Sequence, residues 1–81
     1  MHYVYLLQSK KDGKLYIGST DDLKRRIVEH SSGRVISTKN RRPLDLVYYE
    51  AYRFKKSALT REKNLKEFGS AYKGLVKRLG E

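Results

Sequence analysis

A turn signal between two tyrosine-bearing apolar segments does most to limit what this chain can become. Tyr3-Val4-Tyr5-Leu6-Leu7 and Leu15-Tyr16-Ile17-Gly18 are rich in β-branched and aromatic residues, and Asp12-Gly13 lies between them. The two segments therefore read as a β-hairpin. Side chains alternate across a strand, so directly paired residues share a face. A loop centred on Asp12-Gly13 pairs residues whose numbers sum to an odd value, and any such register puts Tyr5 and Tyr16 on one side of the sheet. Both phenols then sit close to Ser19-Thr20-Asp21-Asp22, a run of helix-capping residues.

That run opens a helix from about Asp22 to Ser31, which Gly33 stops. With about 100° between successive residues, Leu23 and Ile27 face inward, and Arg26 and His30 fall at the edge of their stripe. Lys24, Arg25 and Glu29 point away. Arg26 and His30, one turn apart beside two tyrosines, read equally as a site facing the hairpin and as a stretched arginine next to an ordinary helix-end histidine. Residues 34–43 form a loop whose four basic residues, Arg34, Lys39, Arg41 and Arg42, accompany Thr38 and the only proline. Such a loop suits phosphate contacts, although a solvated connector explains any one of its residues nearly as well.

Leu44 to Tyr52 is a third strand, apolar on both faces at Leu46, Val47, Tyr48 and Tyr49. Tyr48, Tyr49 and Tyr52 are expected in the core rather than as platforms for bases. From Phe54 to Phe68 the period becomes helical, with Ala58, Leu65 and Phe68 on one arc and Leu59 at its edge. Glu62 falls inside that arc, while Arg61, Lys63 and Lys66 can reach solvent. An inward carboxylate left alone is costly, so Glu62 should meet Arg26, His30 or a metal ion. After Gly69, Ser70 caps a last helix carrying Tyr72, Leu75, Val76 and Leu79 at core spacing. The order is ββαβαα: an α/β (α+β) fold in which a small three-stranded antiparallel sheet is flanked by helices, with residues 1–81 as one domain.

A chain of 81 residues has little core to spare, and the absence of cysteine removes disulfides and thiolate zinc sites as staples. No apolar run is long enough to span a bilayer, and Met1-His2-Tyr3 begins a strand, not a leader. A soluble, cytoplasmic protein is expected. Lys and Arg number 19 against 9 Asp and Glu, a formal net charge of +10, so nucleic acid is the first partner to consider. A solvated surface or a small ribosome-associated protein fits the charge equally well.

The ordered residues resemble the GIY-YIG nuclease family, in particular its small stand-alone members. Tyr3-Val4-Tyr5 stands in the GIY place, Tyr16-Ile17-Gly18 in the YIG place, and Asp22-Leu23-Lys24-Arg25-Arg26 with His30 looks like the family's arginine-bearing helix. Ala58 to Leu65 is similar to the helix that supplies the metal-binding glutamate, Glu62. Tyr-Ile-Gly alone would say little; two tyrosines, an arginine, a histidine and a glutamate in this order say more. The resemblance implies a metal-dependent endonuclease acting on nucleic acid, DNA before RNA, with catalytic residues Tyr5, Tyr16, Arg26, His30 and Glu62. Glu62 would hold one Mg2+ or Mn2+. Tyr16 or Tyr5 would deprotonate a water, Arg26 would offset growing charge, and His30 would assist the phenol or hold it. Lys24, Arg25, Arg34, Thr38, Lys39, Arg41 and Arg42 are the expected nucleic-acid contacts.

This chain has Ser19 where larger members often place a lysine, and no asparagine beyond Asn64. No counterpart of their separate DNA-binding domain is expected in these residues, so either modest specificity or a partner protein that directs the cut is anticipated. The rival reading is a nucleic-acid-binding module without turnover, which retention of all five site residues argues against. A membrane-surface or ribosome-bound structural protein comes third, because the basic residues form no single amphipathic face.

Overall fold

The computed structural model describes residues 1–67 and 69–80, and the side chains of these other than 69–71. Strands β1 (His2–Ser9), β2 (Leu15–Thr20) and β3 (Leu44–Tyr52) form one antiparallel sheet in the order β2-β1-β3. Helix α1 (Leu23–Ser31) follows β2, and α2 (Lys55–Glu67) and α3 (Gly69–Leu79) follow β3. The expected order ββαβαα holds, with a short 3-10 turn at Lys39–Arg41 added in the basic loop. Phe68, placed on the inward arc of α2, and the Ser70 side chain, placed as a cap, lie outside the described residues.

The central strand is buried on both faces. Val4 and Leu6 turn towards α2 and α3 and form the core with Ala58, Leu65 and Leu75, with Leu15, Ile17, Tyr48 and Tyr52 packed at its margin. Tyr5 and Leu7 point the other way and are buried too, as are His30 of α1 and Thr38 of the basic loop.

The hairpin register pairs Tyr3 with Thr20, Tyr5 with Gly18 and Leu7 with Tyr16. The sums are odd, so Tyr5 and Tyr16 share a face as expected. The loop itself is wider than Asp12-Gly13 alone. Ser9 N–H donates to Lys14 O at 2.9 Å, and Gly13, in the left-handed region at φ +73, donates to Ser9 O at 2.8 Å. Asp12-Gly13 is thus the closing half of a four-residue turn. The Ser9 hydroxyl drives this, accepting from the N–H groups of Lys11 at 3.1 Å and Asp12 at 3.3 Å, while the Asp12 carboxylate accepts from Lys14 N–H at 2.9 Å. Local side-chain acceptors satisfy loop donors that a two-residue turn would not expose.

A bulge shifts the β1–β3 register between Leu6 and Leu7. It leaves Tyr48, Glu50 and Tyr52 on the α2 side, and Tyr49 on the α1 side. Tyr48 and Tyr52 join the core margin, but Tyr49 does not meet the expectation. It is 52% exposed and leans edge-on against Tyr3 with ring centroids 6.3 Å apart, because β3 is an edge strand whose α1 side is only partly covered.

Arg61 also departs from expectation. It turns inward and donates to both Glu50 carboxylate oxygens, Nε at 3.0 Å and Nη2 at 3.1 Å. Tyr48 and Tyr52 donate their hydroxyls to the same carboxylate, at 2.6 and 2.5 Å. A carboxylate in mid-strand facing a helix needs such partners, and a bidentate arginine is the strongest available. Its donors hold the Glu50 carboxyl below its usual range even though burial opposes this. Burial, with Glu50 alongside, pushes the Tyr52 phenol up to about 12.

Candidate active site

The end of β2 runs straight into α1. Asp22 caps the helix, its carboxylate accepting from Arg25 N–H at 3.1 Å. This aims the last turn of α1, and with it His30, back at the hairpin. His30 is 1% exposed. Its Nε2 meets the Tyr5 hydroxyl at 2.8 Å and its Nδ1 meets Thr38 Oγ1 at 2.7 Å. Two hydroxyls, each able to donate or accept, satisfy a neutral ring in either tautomer. Burial first, then the Arg26 charge, lower the His30 pKa to about 4, so the ring is neutral at physiological pH. The sequence left open whether His30 faces the hairpin; it does, and it bonds Tyr5 rather than Tyr16.

Tyr16 completes the aromatic group. Its ring centroid lies 5.2 Å from that of His30 and 6.4 Å from that of Tyr5. Gly18 leaves room for this arrangement, because a Cβ there would press on the hydroxyl end of Tyr5, 2.5 Å from the ring carbon that carries it. The two phenols differ in setting. Tyr5 is 1% exposed and burial raises its pKa, with the adjacent Arg26 guanidinium partly opposing that rise. Tyr16 is half-buried and borders an open groove of about 330 Å3 with Leu15, Ile17, Leu65, Lys66 and Tyr72.

Arg26 is held by Glu29, Nη1 to Oε1 at 3.0 Å. Glu29 therefore does not point away, as its helical phase suggested; it turns back to orient the guanidinium. Glu62 does not pair with Arg26 or His30. Its Oε1 accepts from the Ser19 hydroxyl at 2.9 Å and its Oε2 lies 3.1 Å from Lys66 Nζ. The charges of Arg26, Tyr16 and Glu62 all act on the Tyr5 phenol; Tyr5, Tyr16 and His30 form one packed group, and Glu62 of α2 is tied to the end of β2 through Ser19. Ser19, Glu29 and Thr38 support them. Ser19 had a signal in the sequence, the position directly after Tyr-Ile-Gly. The bond from Thr38 to His30 crosses between separate elements and had none.

A family model for the GIY-YIG catalytic domain matches residues 1–76. The chain belongs to the GIY-YIG family. The GIY-YIG family comprises endonucleases that act on nucleic acid with a divalent metal. Relatives include a UPF0213 protein of Staphylococcus saprophyticus, 44% identical over 68 residues that cover 83% of this chain and 82% of the relative. A UPF0213 protein of Bacillus pumilus is 39% identical over 75 residues, covering 91% of this chain and 76% of that one. The solution NMR structure of a UPF0213 protein from Bacillus halodurans superposes with a TM-score of 0.60 at 38% identity, covering 96% of this chain and 83% of that one.

The donor chemistry of this GIY-YIG site fits one divalent cation. Among the described residues no three acidic, histidine or cysteine side chains gather as a metal cluster. Glu62 is a lone hard-oxygen donor whose Oε2 faces the ammonium of Lys66, a side chain that is half exposed. Mg2+ and ions like it are commonly held by one or two carboxylates plus substrate phosphates and waters. No helix of the described residues is long and apolar enough to cross a membrane.

The expected nucleic-acid contacts divide. Lys24, Arg25, Arg34 and Lys39 are exposed, although Arg25 lies 3.7 Å from Asp21. Thr38 is fully buried and cannot reach a phosphate, because His30 draws its hydroxyl inward. Arg41 pairs with Asp12 at 3.4 Å. Arg42 donates to Lys39 O at 3.0 Å and lies over Gly33, which ends α1 at φ +80. The loop is basic, but part of its charge holds the fold.

Proposed function

We propose that this GIY-YIG chain is a metal-dependent endonuclease that hydrolyses phosphodiester bonds in nucleic acid, DNA foremost, with residues 1–81 forming one nuclease domain. The supporting observation is the convergence of Tyr5, Tyr16, His30, Arg26 and Glu62 from separate elements of the fold. Glu62 would hold the cation, Mg2+ or Mn2+, with a substrate phosphate completing its shell; when bound, the ion polarises that phosphate. Tyr16 is the phenol placed to meet water, since it borders the groove while Tyr5 is buried and committed to His30. In this reading Tyr16 orients the attacking water and takes its proton at the phenolic oxygen. The positive charge of Arg26 acts on the Tyr5 phenol beside it. The Arg26 guanidinium, oriented by Glu29, also offsets the charge that grows on the phosphoryl oxygens. His30, neutral and fixed by Thr38, holds Tyr5 and through it the wall against which Tyr16 packs.

Labelled single-stranded DNA, duplex DNA and RNA, each incubated with the protein and Mg2+, Mn2+ or EDTA, test this reading. Internal cleavage of at least one substrate that EDTA abolishes is the expected result. Binding without any cleavage in either metal would favour a nucleic-acid-binding module instead.

A further inference from the structure

We propose that the outer face of α2, entered at Arg53 and Phe54 and continued by Lys55, Lys56, Leu59 and Lys63, is the surface along which a nucleic-acid strand lies to reach Glu62. The proposal rests on the nuclease reading and adds where the substrate runs. All six side chains are exposed, Phe54 at 63% and Leu59 at 43%. The Arg53 guanidinium sits over one side of the Phe54 ring, 5.4 Å from its centroid, and an exposed aromatic ring with a cation on one side offers the other to a base.

The charge on this face is uncompensated. Among the described residues, Arg53, Lys55, Lys56 and Lys63 have no carboxylate within ion-pair distance, whereas Arg25 and Arg41, expected from the sequence to touch nucleic acid, are paired with Asp21 and Asp12. Helical spacing then ties the face to the site. Lys55, Leu59 and Lys63 follow one another at i+4, over about 12 Å of helix. Glu62 and Lys66 border the same line, three residues from Leu59 and Lys63 respectively, and the two are joined at 3.1 Å. A strand held by the lysines is delivered to the carboxylate that would hold the metal.

A polyanion with stackable bases fits this face better than a bilayer does. A membrane-lying helix needs its apolar face free, but α2 has turned Ala58 and Leu65 into the core. The outward face presents four cations to two apolar side chains.

The test uses the full chain in EDTA with fluorescein-labelled oligothymidylate, read by anisotropy across a salt series. Lys55→Gln/Lys56→Gln/Lys63→Gln should weaken binding and flatten the dependence of log affinity on log salt, by about 0.7 for each phosphate that is no longer neutralised. Phe54→Ala should weaken binding by about 5- to 100-fold with the slope unchanged, as removal of one base stack predicts. Wild-type affinity and slope in both variants would overturn the proposal, as would wild-type binding to phosphatidylserine vesicles in preference to the oligonucleotide. Hydrolysis of thymidine 5′-(p-nitrophenyl phosphate) in Mg2+ separates the two ideas, since this small diester does not reach the lysines. Variants that hydrolyse it like wild type but bind the oligonucleotide poorly support the surface. If the variants lose binding and even wild type hydrolyses neither substrate, the surface stands and the nuclease reading falls. Unchanged binding with retained hydrolysis removes the surface and leaves the nuclease reading intact.

Discussion

His30 shows how one side chain joins stability to pH. Its pKa falls from 6.5 free to about 4 in the fold, so the folded protein binds fewer protons here than the unfolded chain. The stabilisation is complete above about pH 6.5 and is lost as pH falls towards 4. Its size is up to about 3 kcal/mol. His30→Asn should therefore melt lower than wild type at pH 7.5, and the gap should narrow steadily towards pH 4.5. A constant gap would contradict the neutral, hydroxyl-flanked ring. Gly18 carries a second prediction at this scale. Gly18→Ala forces the buried Tyr5 ring aside, and overpacking of this kind typically costs about 1–3 kcal/mol. Unchanged denaturation midpoints would refute the close approach. The shared face of Tyr5 and Tyr16 was legible in the sequence because strand alternation and an odd-sum register fix it. The roles of Thr38 and Glu29 were not, since a loop hydroxyl reaching into the core and a rotamer turned back along a helix leave no periodic mark.

At the scale of elements, the hairpin, α1, β3 and the two later helices were readable from alternation, caps and period. What α2 does was less so. Its apolar side is thin, with Ala58 and Leu65 buried, and on a helical wheel Arg61 and Glu62 flank their midline at about 50° each, a position from which a long side chain can turn either way. The strand held the missing clue, because Tyr48, Glu50 and Tyr52 alternate onto one face and their polar ends have to find a cation. The resulting clamp sets the rotation of α2 one residue before Glu62. Glu50→Ala strands the Arg61 guanidinium, which is partly exposed, and should cost about 2–4 kcal/mol. Urea melts would show it; a shift below about 0.5 kcal/mol would make the clamp incidental. The hairpin loop is wider than its Asp12-Gly13 signal implies for a similar reason, as the acceptor that widens it is the Ser9 hydroxyl, outside that signal.

For the whole molecule, the candidate site draws on β1, β2, α1 and α2, in a chain whose formal net charge is +10. The sequence conveyed the amount of charge but not its distribution: some loop cations close the fold, and on α2 Arg61 and Lys66 are paired with Glu50 and Glu62, while Lys55, Lys56 and Lys63 have no carboxylate partner among the described residues. Arg26 belongs to the chemistry in this account, so Arg26→Ala should slow single-turnover cleavage about 100- to 1,000-fold and weaken oligonucleotide binding far less. Equal losses would make it a phosphate anchor only.

Glu62→Gln tests the central claim most directly, with cleavage assayed in Mg2+ beside thermal melts in EDTA. Glutamine keeps the size of the side chain and an acceptor for Ser19. It gives up the pair with Lys66, whose side chain is half exposed while that of Glu62 is 19% exposed, a contribution of about 1 kcal/mol. Cleavage should fall at least about a hundredfold while the melting temperature stays within a few degrees of wild type. A variant that cuts at the wild-type rate, or one that no longer folds, would contradict the assignment of Glu62 as the metal-holding carboxylate.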